Sequence, residues 1–92
     1  MNDTLPISTV NVDTTFERPK NLVLYNDNFH SMDEVANQIC KAINCDQMKA
    51  AQIMLEAHMK GRAIVFTGSL ERCELVESIL NEIRLGTKIE EC

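Results

Sequence analysis

Two short stretches carry the side chains that could do chemistry. They are Asn26-Asp27-Asn28-Phe29-His30-Ser31-Met32 and Met54-Leu55-Glu56-Ala57-His58-Met59-Lys60-Gly61. The first reads as a polar turn that leaves a strand and enters a helix. The second reads as the end of a helix whose apolar face carries His58, closed by Gly61. Brought together, they would set a carboxamide, a carboxylate and an imidazole beside methionine side chains. An ammonium group has three donors and no acceptor, so that set of acceptors suits a small cation. Unbranched methionines adapt to varied apolar shapes and would hold a greasy neighbour of the cation. Taken singly, each part also has a plainer role. Asn26-Asp27-Asn28 is an ordinary turn string, a histidine on an apolar helix face is ordinarily a core residue bonded to a carbonyl, and His30 reads as a solvated loop residue. Met32, Met48 and Met54 are core candidates.

The elements that must position these residues follow from period and punctuation. Asn21 to Asn26 is a short apolar run after Pro19, read as a strand. Ser31 and Glu34 form the capping-box pair that opens a helix with a stripe of Met32, Val35, Ala36, Ile39, Cys40 and Ile43. Asn44-Cys45 breaks it, and Asp46 caps a second helix. There the predicted buried stripe is Met48, Ala51, Met54, Leu55 and His58. Ala63 to Phe66 is a second strand. Ser69 starts a third helix with a stripe of Leu70, Cys73, Val76, Leu80 and Ile83, its last turn at Arg84 and its closing residue Gly86. Thr87 to Glu91 is a final edge strand. If each element packs antiparallel to the one before it, strand 1 lies in the middle. The expected fold is α+β: one small domain, strand-helix-helix-strand-helix-strand, with a three-stranded antiparallel sheet and three helices on one face. Asn26, Asp27 and His58 could then meet at one end of it.

Composition narrows the partners. The chain has 92 residues, a net charge of −5 and only 4% aromatic residues. It lacks the clustered cations and stacking partners of a nucleic-acid surface. It has no apolar stretch of membrane-spanning length, and its start lacks the features of a secretory signal. The four cysteines contain no CxxC pair, so they read as reduced thiols of a cytoplasmic protein, with no metal site and no cofactor expected. Residues 1–19, rich in Thr, Ser, Asn and Asp, read as a disordered leader able to reach about 60 Å when stretched. Residues 20–92 form the folded domain.

From Leu22 to about Ile83, the chain resembles the ClpS family of adaptors for Clp-type AAA+ proteases. The resemblance rests on Asn26-Asp27, Met32, Val35 and the block Met54-Leu55-x-Ala57-His58-x-x-Gly61-x-Ala63. It implies a non-enzymatic adaptor that binds protein N-termini beginning with a bulky apolar residue (N-degrons). Its other partner would be the N-terminal domain of a Clp-family AAA+ ATPase. By the same resemblance, Asn26, Asp27 and His58 would hold the α-amino group, while Met32, Val35, Met54 and Ala57 would line the pocket for the first side chain.

The chain departs from the family pattern at several positions. Asn28 stands where many members have a second aspartate, and His30-Ser31 replaces a common Thr-Pro. Ala57 is smaller than the usual valine, and strand 2 is expected to be two residues shorter. Ser69 and Glu74 lie where an acidic and a basic residue often dock on the ATPase. Two other classes stay open on sequence alone. A ribosomal-stalk-like interaction module would share the fold but leave Asn26, Asp27 and His58 without a role. A small cysteine hydrolase would use His58 as base and Asp27 as its orienter.

Overall fold

A computed structural model describes residues 18–92; the leader expected over residues 1–19 lies outside them except at its last two positions. The element order is β1 (Lys20–Tyr25), α1 (Met32–Ile43), α2 (Gln47–Lys60), β2 (Arg62–Gly68), α3 (Leu70–Leu80), a 3-10 turn (Asn81–Ile83) and β3 (Thr87–Glu91). The sheet order is β2-β1-β3 with both pairings antiparallel, as the alternation of directions requires.

Local chemistry sets the boundaries. Ser31 Oγ accepts the Glu34 N–H at 3.1 Å while Glu34 Oε1 accepts the Ser31 N–H at 3.0 Å, completing the capping box of α1. Asp46 caps α2 through Lys49, and Ser69 caps α3 through Arg72. Asn44, in the left-handed region at φ 54, ends α1 and turns the chain back into α2. The third helix ends differently from expectation. Arg84, at φ 64, takes the left-handed closing position after the 3-10 turn, in place of Gly86. The second strand runs over seven residues rather than four. Its pairing with β1 skips Val65, a bulge that lets consecutive Val65 and Phe66 both pack on the core.

Leu22 and Leu24 from β1 meet Val35, Ala36 and Ile39 from α1, and Cys73, Val76 and Leu80 from α3. The second helix contributes Ala50, Ile53 and Ala57, not the stripe read from the sequence. Met48 is 72% exposed and Leu55 44% exposed, while Met54 is half-buried. The true inner face is mostly alanine, so larger apolar residues elsewhere on the helix suggested the wrong one. On the sheet face turned away from this core, Val23 is also fully buried. There Arg62, opposite Tyr25, donates two hydrogen bonds to Glu90, opposite Asn21. The bridge spans the central strand at the level of Val23.

Candidate ligand-binding site

The polar turn and the helix end meet because backbone hydrogen bonds tie them. The Asn26 N–H donates to the Gly61 carbonyl at 3.0 Å, and the Tyr25 N–H to the Gly86 carbonyl at 2.9 Å. Gly61 sits at φ 90, a conformation glycine adopts without strain, and its N–H closes α2 on the Ala57 carbonyl at 2.8 Å. The last turns of α2 are thereby held against the loop that follows β1.

A cavity of about 210 Å³ opens at this junction. Asn26, Asp27 and His58 are among its polar lining, and Met32, Val35, Met54 and Ala57 among its apolar lining. All seven residues singled out from the sequence therefore border one space. Val35 and Ala57 are buried and belong to the core as well, so they form fixed wall. Met32 is 52% exposed, contrary to its expected place in the buried stripe of α1, and stands at the mouth. His58 is an exposed residue, unlike a core histidine.

Leu24, Tyr25, Asn28 and His30 also line the cavity, and none is among the seven residues singled out from the sequence. His30 is the main correction. Its side chain is only 21% exposed, because the turn carries the ring back onto Asp27. Asp27 Oδ2 accepts the His30 backbone N–H at 2.7 Å and lies 2.7 Å from His30 Nδ1. Burial pushes the Asp27 carboxyl upward, but hydrogen bonds from the His30 N–H, the His30 ring and the Phe29 N–H outweigh it, and it sits below its ordinary value. Asp27 is then a carboxylate at neutral pH, an acceptor only, so His30 Nδ1 carries the hydrogen between them. The signal available in sequence was the Asp-x-x-His spacing across an Asx-type turn.

The arrangement suits a monocation joined to an apolar group. It offers one carboxylate, a carboxamide and imidazole nitrogens, next to methionine and aliphatic wall. Among the described residues, no group of three or more His, Cys, Asp or Glu could hold a metal, and no helix is long and apolar enough to cross a membrane. None of the four cysteines lines the cavity. Burial, foremost, pushes the Cys45 and Cys73 thiols up, away from nucleophilic use. Of the two positions that depart from the usual docking pair, Ser69 serves as the α3 cap and Glu74 is exposed.

A family model described as "ATP-dependent Clp protease adaptor protein ClpS" matches residues 17–85. Among curated proteins, the ClpS adapter of Gloeobacter violaceus is 36% identical over 75% of this chain and 75% of its own length. The ClpS adapter of Vibrio atlanticus is 39% identical over 59% of this chain and 51% of its own. The E3 ubiquitin-protein ligase UBR1 of Drosophila melanogaster is 35% identical over 73% of this chain, which spans only 4% of that protein. The chain thus covers about half of the Vibrio adapter and a small part of the fly ligase. The structure of Agrobacterium tumefaciens ClpS2 bound to L-phenylalaninamide aligns with a TM-score of 0.77 at 16% identity, covering 82% of this chain and 98% of that one. That likeness is one of fold.

Proposed function

Since the chain belongs to the ClpS family of Clp protease adaptors, we propose that it binds protein N-termini beginning with a bulky hydrophobic residue and delivers them to a Clp-type AAA+ protease. The observation that carries this reading is the single cavity bordered by Asn26, Asp27 and His58 together with Met32, Val35, Met54 and Ala57. A free N-terminus is an ammonium group one carbon away from an apolar side chain, and the two kinds of lining match its two halves. Acetylation removes the charge and two donors, so the polar half would lose most of its purpose. The cavity is smaller than the roughly 300–1,000 Å³ of drug-sized ligand sites, a size suited to one residue and its amine. The Agrobacterium relative was solved with L-phenylalaninamide, a molecule with a free amine beside a benzyl group.

Delivery rests on the family relationship alone, with the ATPase N-terminal domain as the docking partner. The leader of residues 1–19 would engage the protease while the folded domain holds its cargo. Capture is tested with peptides that differ only in their first residue, each with a free or an acetylated N-terminus. Binding should be confined to free amines followed by Leu, Phe, Tyr or Trp. Equal affinity for acetylated peptides would overturn the proposal.

A further inference from the structure

The Asp27–His30 pair is built into the cavity, and capture of an amine by Asn26, Asp27 and His58 leaves His30 without a role. Two donors of one residue converge on a single carboxylate oxygen of another, each at 2.7 Å, and both residues line the space where a ligand would sit. The side chains are 11% and 21% exposed, so the pair is largely shielded from water. Its charge has two states. With His30 neutral, Nδ1–H donates to Asp27 and the pair carries one negative charge. With His30 protonated, imidazolium and carboxylate cancel.

We propose that His30 is the positioning residue of the amine-binding carboxylate, holding Asp27 in its binding rotamer when neutral and cancelling its charge when protonated. The inference rests on the reading of the cavity as an N-terminus site. A cationic ligand then prefers the neutral form of His30, and binding it expels a proton from the ring. The other titratable groups near His30 come from every neighbouring element. Tyr25 from β1 and His58 from α2 line the same cavity. Asp33 and Glu34 lie in the first turn of α1, with Glu34 occupied by the Ser31 N–H. His58 carries the second imidazole of the chain, so the two rings must be read separately. The chain contains two histidines, and a His58→Gln variant assigns both sets of ring signals.

The test combines peptide affinity with ring NMR on the full chain, using a Phe-first peptide with a free amine. At pH 6, saturating peptide should move the His30 ring signals toward their neutral-form positions. As the pH is lowered and His30 takes up its second proton, affinity should fall, with about fivefold of the fall carried by His30. His30→Ala should weaken binding about three- to tenfold at pH 7.5, and His30→Asn, which keeps a donor toward Asp27, should recover most of that. Both variants should remove the His30 share of the pH dependence. Parent-like affinity and pH profile in His30→Ala would overturn the proposal, as would His30 ring signals that peptide leaves unmoved. Failure of the parent to bind any free-amine peptide would overturn the N-terminus reading itself, and this inference with it.

Discussion

Asp27 is held by a histidine of its own chain, and under the proposed reading it would also meet the amine of a ligand. Its lowered carboxyl keeps it charged well below neutral pH, so it offers a full negative charge to an ammonium group. Asn26 lies beside it, with its amide nitrogen 3.4 Å from Asn28 Oδ1. Asp27→Ala and Asn26→Ala are each expected to weaken free-amine peptides by about 1.5–3 kcal/mol, the worth of a hydrogen bond to a charged group. Titration calorimetry would read this as roughly a ten- to a hundredfold change in Kd. Parent-like affinity in either variant would move the amine site elsewhere. At this scale the sequence was readable wherever a motif spans two elements, as Asn26-Asp27 and His58 do. At His30 only the Asp-x-x-His spacing hinted at the contact, because its burial depends on the path of a turn and not on its own type.

Helix facing was the harder element-scale problem. The first and third helices bury β-branched and larger apolar residues, so their stripes stand out: Val35 and Ile39, then Val76 and Leu80. The second helix buries two alanines and one isoleucine while exposing two methionines and a leucine, which inverts the usual correlation of size with burial. Its Met54 and His58 line the cavity, Met54 while also packing against the edge of the core, and a cavity wall has the apolar pattern of a core face. The corrected facing makes a sharp contrast in stability. Ile53→Ala should lower the unfolding free energy in urea by about 2–4 kcal/mol. Met48→Ala should stay within roughly 0.5 kcal/mol of the parent. Similar losses for both would restore the facing read from the sequence.

For the molecule as a whole, topology was legible because alternating directions leave one arrangement in which all strand neighbours are antiparallel. The Arg62–Glu90 bridge over Val23 was not, since it joins the two edge strands across a third. The hydrogen bond from Arg62 holds the Glu90 carboxyl below its ordinary value near 4.5. Its contribution is therefore present above that value and fades as pH falls through the lower folded value. Glu90→Gln should be less stable than the parent at pH 7, and the gap should close toward pH 3 in denaturant melts. A gap of constant size would assign the bridge no electrostatic role. The pairing of Lys20 with Glu91, bridged at 2.8 Å, also sets the two ends of the described domain side by side. The turn at Asn44 lies at the far end of α1, about 18 Å along the helix from the cavity. These two facts make the domain a candidate for circular permutation, with residues 92 and 18 joined by a short flexible linker and new termini opened between Asn44 and Cys45. Such a rewired chain should fold and select the same peptides, because the polar turn and the helix end that frame the cavity both remain uncut. A folded permutant that no longer binds would show that the distant turn shapes the site.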